Sequence, residues 1–96
     1  MGGVVGWTVN SRFRIATEKT VLAIPELRIG FFVDCGGAHW IHHRKHKIGE
    51  LLAFTGYKLR GADLVHSGMA NHFVLSHKID ELTSELKFIF DINKVN

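Results

Sequence analysis

Pro25 is the only proline in the chain, and it stops the apolar run of residues 21–24 just before Glu26. A short run without polar alternation reads as a strand buried on both faces, and proline cannot continue a central strand. A second apolar run, residues 29–33, has Gly30 near its start and is closed by Asp34, ahead of Cys35-Gly36-Gly37. Two carboxylates thus bracket one apolar segment. Strand ends and the loops beyond them hold side chains in fixed places, where catalytic groups concentrate, and apolar walls strengthen a carboxylate's local electrostatics. Each carboxylate also has a plainer use: Glu26 as an exposed loop residue, Asp34 as the N-cap of a following helix. The residues alone leave both uses open.

A chain of 96 residues has room for one small domain, and 46% apolar with 22% charged residues is globular rather than disordered. The single cysteine excludes an intramolecular disulfide and suits a reducing compartment. No apolar run is long enough to span a membrane, and the start has neither a signal-peptide pattern nor an Arg- and Ser-rich presequence. The opening MGGVVGW reads as domain interior rather than a frayed polar terminus, which points to a truncated chain. The net charge of +3 suits an anionic ligand such as a phosphorylated cofactor. The basic residues are scattered apart from a cluster at 43–47, without an aromatic RNA-binding motif, so no nucleic-acid partner is expected.

Along the chain, Gly2, Gly3 and Gly6 allow close backbone approach, and a helix starting there would present free N–H groups to a developing negative oxygen. Residues 13–16 alternate as a short strand, residues 21–24 form a second, and residues 70–74 a third. Helical patterns cover residues 37–44 and 48–54, the latter stopped by Gly56, and a helical turn in 61–68 is stopped by Gly68. Ser76 caps a last helix running to about residue 90, with Ile79, Leu82, Leu86 and Ile89 on one face and a polar tail at 91–96. Trp7, Trp40 and the phenylalanines are expected in the core. Three strands interleaved with helices make an α/β fold. Partners for the strand edges are not evident, which again points to missing sequence.

The stretch MGGVVGWTVNSRFRIATEKTVLAIPELRIGFFVDCGG, continued by IGELLAFTGYKLRGADLVHSGMANHFV, closely resembles the 3-hydroxyisobutyryl-CoA hydrolases, a branch of the enoyl-CoA hydratase/isomerase (crotonase) superfamily. The match fades after about Leu82 and covers a central piece of a full family member. It rests on Met1-Gly2-Gly3, Arg14-Ile15-Ala16-Thr17, Pro25-Glu26, Ile29-Gly30 and Asp34 taken together; Phe54-Thr55-Gly56 and Gly68-Met69-Ala70 are common to the wider superfamily.

The resemblance implies a partial β-β-α spiral with flanking helices over residues 1–90. It implies hydrolysis of 3-hydroxyisobutyryl-CoA to the hydroxy acid and CoA in valine breakdown, in mitochondria. No cofactor is implied beyond the CoA carried by the substrate, and no metal. The implied partners are the acyl-CoA substrate and, by crotonase habit, further copies of the chain, with no membrane. Gly3 matches the position whose backbone N–H forms half of the oxyanion hole, Glu26 the catalytic carboxylate, and Asp34 the second acid, which holds the substrate hydroxyl or handles the proton. The other oxyanion donor, a further acid and much of the CoA site match no position in this sequence. Three departures stand out. Val4 replaces a usual third glycine and is expected to crowd the backbone. Val33 replaces a proline, leaving the loop beside Asp34 less fixed. Residues 41–46 replace a more apolar segment that carries a proline and an arginine.

Within that segment, His39, His42, His43 and His46 fall at helical offsets of three, four and seven, so three could share a face and bind zinc; a basic, solvated helix face is the plainer reading. Cys35 and His39, four apart beside Asp34, could form a nucleophilic pair, with a helix N-terminus lowering the thiol pKa; the plainer reading is a small residue packed under the loop. A third class of function, beside a thioester hydrolase and an inactive fragment that binds other crotonase chains, is a metal- or anion-binding module.

Overall fold

The ladders join strands far apart in the sequence. β1 (Ile15–Ala16) pairs in parallel with β4 (His72–Phe73), and β2 (Val21–Leu22) pairs antiparallel with β3 (Leu59–Arg60). The computed structural model describes residues 1–95, with side chains through residue 93. Between and around the strands lie α1 (Val4–Val9), α2 (Gly37–His42), α3 (Ile48–Thr55), α4 (Asp63–His66) and α5 (Ile79–Val95), with 3₁₀ turns at Glu26–Ile29, Lys45–Lys47 and Ser76–Lys78. The α/β expectation holds. The strands are short because each ladder closes for two residues and then turns into a helix or loop.

One core runs through the molecule. Val5 and Val9 of α1, Leu22 and Ile24 after β2, Trp40 and Ile41 of α2, Leu52 of α3, and Leu59, Leu64, Met69 and Ala70 pack together. Gly6 permits a close seam between α1 and the start of α2: a Cβ there would lie 2.7 Å from the Cys35 carbonyl oxygen and 3.2 Å from Trp40 Nε1. The stops read from the sequence are in place. Gly56 caps α3 at φ 64° and donates its N–H to Leu52. Gly68 turns after α4 at φ 79°.

The apolar run at 29–33, to which the sequence assigns no element, opens in a turn, and several other expectations fail for identifiable reasons. Gly30, at φ 73°, donates to the Leu27 carbonyl and Phe31 to that of Glu26, the paired bonds of a Schellman turn. Ser76 does not cap the last helix; its N–H and hydroxyl both go to the Glu18 carboxylate. That helix continues through Val95 with no break at residue 90, so the tail expected at 91–96 is helical as far as it is described, and Asn96 lies outside the described residues. Trp40 is buried, but Trp7 is 79% exposed, and all seven phenylalanines are exposed. The elements are too short to enclose them, and the outward faces of α1, α3 and α5 have no covering layer among the described residues. Val4, expected to crowd the backbone, points outward and is 62% exposed. The segment at 41–46 keeps an arginine that ties it down: Arg44 donates to the carbonyls of Trp40 (3.3 Å), Gly68 (3.4 Å) and Val9 (3.2 Å).

Candidate active site

Glu26 is the one buried charged residue among the described residues, at 6% exposure. Pro25 directs it inward: the chain leaves the buried segment Leu22–Ile24 and turns at once into the 3₁₀ turn, with Arg28 N–H bonding the Pro25 carbonyl at 2.9 Å. Neither carboxylate oxygen of Glu26 has a hydrogen-bond partner among the described residues. Burying a carboxylate unpaired is costly, so this side chain is held in place by the fold around it rather than by its own bonds. The plainer reading of Glu26 as an exposed loop residue is thereby removed.

The two glycines ahead of α1 stand against the two carboxylates, Gly2 against Glu26 and Gly3 against Asp34. Gly2, at φ 65°, would carry a Cβ 3.7 Å from Glu26 Oε1. At Gly3 a Cβ would lie 3.5 Å from Asp34 Oδ1 and 3.0 Å from Cys35 Sγ, a space too tight for a side chain. Gly3 sits at the N-cap position without a side-chain cap, and its N–H donates to no partner among the described residues. Gly2 was not singled out by itself in the sequence; its signal is the doubled glycine ahead of a helix.

Asp34 is half-buried and does not cap α2 through its side chain; Gly36, left-handed at φ 75°, takes the N-cap position, and the Asp34 carbonyl receives the Gly37 N–H at 2.9 Å. Val33 packs against the core and against Gly37, so the loop beside Asp34 is held without proline. Cys35 follows at φ 51° with its thiol exposed. The negative charge of Asp34, then partial desolvation, an Asp34 hydrogen bond and the charge of Glu26 push its pKa up. This is opposite to the lowering expected at a helix N-terminus and disfavours the thiolate that a nucleophilic pair needs. The structure therefore gathers Gly2, Gly3, Glu26, Asp34 and Cys35 at one place.

The histidines do not make a metal site. α2 ends at His42, and His46 lies in the next turn at φ 57°, so the helical offsets do not carry through. His43 donates Nδ1–H to the His39 carbonyl at 2.6 Å, and its ring stands 4.5 Å from that of His39. Among the described residues no group of three His, Cys, Asp or Glu could hold an ion.

Known proteins resemble this chain in sequence and in fold. The chain is 48% identical over all 96 residues to the mitochondrial 3-hydroxyisobutyryl-CoA hydrolase of Gallus gallus and 43% identical to that of Homo sapiens, in each case spanning a quarter of the relative's length. A carnitinyl-CoA dehydratase from Mycobacterium thermoresistibile superposes with a TM-score of 0.78 at 40% identity, covering 88% of this chain and 25% of that one. An enoyl-CoA hydratase from Rhodobacter sphaeroides gives 0.81 at 34% identity, covering 90% and 26%. The family model described as enoyl-CoA hydratase/isomerase matches residues 1–95, and the chain belongs to that family.

Proposed function

We propose that this chain carries the catalytic segment of a 3-hydroxyisobutyryl-CoA hydrolase acting in mitochondrial valine breakdown, with acyl-CoA as the bound partner and no further cofactor. The observation that carries the reading is the buried Glu26 carboxylate, without a partner among the described residues, standing against Gly2 and next along the chain to Gly3, whose N–H is free. In the hydrolytic route Glu26 takes a proton from water as the water oxygen attacks the thioester carbonyl. The carbonyl oxygen becomes an oxyanion and accepts the Gly3 N–H, a type of contact worth about 3–4 kcal/mol. Collapse of the tetrahedral species breaks the carbon–sulfur bond, and the CoA sulfur recovers the proton from Glu26. In the alternative route Glu26 attacks the carbonyl itself, and water then releases the acyl group. In both routes Asp34 accepts the substrate hydroxyl, which selects a hydroxylated acyl chain because a buried acceptor left unpaired is costly.

The test is thiol release from 3-hydroxyisobutyryl-CoA by the wild-type chain and by Glu26→Gln, alongside thermal melts with and without the thioester. Ligand-dependent stabilisation with hydrolysis lost in Glu26→Gln supports the reading; hydrolysis surviving that substitution sinks it. A second reading is an inactive chain that assembles with other crotonase chains. It is favoured by the apolar side chains left outside, with Trp7 and Ile29 each 79% exposed and Phe88, Ile89 and Phe90 uncovered on α5. Neither hydrolysis nor thioester-dependent stabilisation, together with co-purification of a longer crotonase chain, selects that reading.

A further inference from the structure

The far end of α2 has the opposite character. After His42 the chain enters the 3₁₀ turn Lys45–Lys47, and this turn faces the end of α4 across a cavity of about 360 Å³. That volume falls within the range of about 300–1,000 Å³ common for small-molecule sites. Five of the residues lining it carry nitrogen donors: His43, Arg44, Lys45, His46 and His66. Ser67 lines it too, but its hydroxyl is spent on the Leu64 carbonyl at 3.0 Å.

Among the described residues no carboxylate lines the cavity or pairs with these donors. Among the described residues the one ion pair joins His42 to Glu50 at 3.8 Å, outside the cavity. Arg44 donates only to backbone carbonyls, and Arg14 reaches the same Gly68 carbonyl at 3.5 Å, which places a second guanidinium beside the first. Burial and then Arg14 push the Arg44 pKa below its ordinary value, as befits a cation without a counter-charge. The turn that presents Lys45 is also disfavoured locally, with His46 at φ 57° and Lys47 at φ 60° in the left-handed region.

We infer that this cavity is a binding site for a phosphate-bearing small anion, separate from the carboxylate cluster at the other end of α2. The Lys45 ammonium and the imidazoles of His46 and His66 approach from two elements, the residue 43–46 turn and the end of α4, while His43 keeps one ring nitrogen uncommitted and Arg44, held on backbone carbonyls, adds its fixed positive charge to the wall. Donors converging from several directions suit a phosphate, whose oxygens spread tetrahedrally, better than a planar carboxylate. A metal ion is disfavoured because the fixed charges of Arg44 and Lys45 repel it.

The experiment is calorimetric titration of the 96-residue chain with inorganic pyrophosphate and, separately, with adenosine 3′,5′-bisphosphate, at fixed physiological ionic strength with sulfate as the control anion. One-site saturable binding of either phosphate compound, tighter than sulfate and weakened about tenfold or more in the double variant Lys45→Gln/His66→Gln, is expected. Both side chains are exposed, so the variant is expected to keep the fold. Binding confined to pyrophosphate identifies a free phosphate ligand, and binding confined to the bisphosphate a nucleotide-borne one; each supports the site. Affinity unchanged in the double variant, equal affinity for sulfate, or no saturable binding of either compound overturns it.

Discussion

The two ends of α2 hold opposite charges by different means. At its start, Glu26 and Asp34 converge on the glycines of α1, and the acidic member nearest the core has no partner among the described residues. At its end, Arg44 donates to three carbonyls, while Lys45, His46 and His66 line a cavity without a hydrogen-bond partner among the described residues. The acidic end is made by backbone that allows no alternative: left-handed glycines, the turn opened by Pro25 and side-chain-free positions at Gly2 and Gly3. The basic end is made by exposed side chains on a turn. Substitutions at the first are therefore expected to trade function against stability, and those at the second to change binding with little effect on the fold, Arg44 excepted.

The largest expected effect is at Glu26. Glu26→Gln is expected to lower thioester hydrolysis by at least about a hundredfold and to leave pyrophosphate binding at the other end of α2 untouched. Glu26→Leu, which removes a buried unpaired charge, should raise the stability in urea by about 1–2 kcal/mol. A loss of stability in that variant would mean that the carboxylate is satisfied after all, and the contrast between the two ends would collapse.

Arg44→Ala comes next. Losing a cation that bonds three carbonyls is expected to cost about 2–3 kcal/mol in a denaturant melt, whereas Lys45→Ala should stay within about 0.5 kcal/mol. Equal costs for the two would show that the turn, not Arg44, holds this end together. A smaller effect separates Asp34 from Glu26. Because Asp34 is the main cause of the raised Cys35 pKa, Asp34→Asn should speed alkylation of Cys35 by iodoacetamide at a fixed mildly alkaline pH. An unchanged rate would place the acid elsewhere.

The smallest effect lies outside both ends. The Ser76 side-chain hydrogen bond, then the Ser76 N–H, hold the Glu18 carboxyl below its ordinary value. A depressed folded pKa contributes stability above the unfolded value, and that contribution disappears as pH falls through the folded one. Ser76→Ala should therefore melt lower than wild type at neutral pH, with the gap narrowing as acid protonates Glu18. Glu18 is fully exposed, so added salt should shrink the gap as well. A gap that stays constant across the acid range would remove this bond from the account.

The parts legible in the sequence were those set by single residues acting locally. Gly56 and Gly68 stop their elements where their backbone chemistry requires, and the periodicity of residues 48–54 appears as α3; the strand expected at 21–24 ends already at Leu22, and Pro25 instead opens the 3₁₀ turn that carries Glu26. β3 was not legible, because two residues without alternation become a strand only when Val21 and Leu22 lie alongside. The exposed phenylalanines were misplaced for a related reason. Apolar character shows that a side chain can be buried, while the number of covering layers decides whether it is. The pairing of Cys35 with His39 looked plausible by spacing, but the sign of the thiol's shift depends on Asp34 and Glu26 folding beside it.

By itself, the sequence determined the α/β character, the family resemblance and the identity of the candidate acids, because propensities, turn residues and motif spacing act over a few neighbours. Only the tertiary structure decided that Glu26 is buried without a partner, that Gly2 and Gly3 stand against the two carboxylates, and that residues 43–46 meet the end of α4 across a cavity. Each of these depends on segments brought together from distant parts of the chain, and burial, charge pairing and cavity shape are properties of that meeting rather than of any one segment.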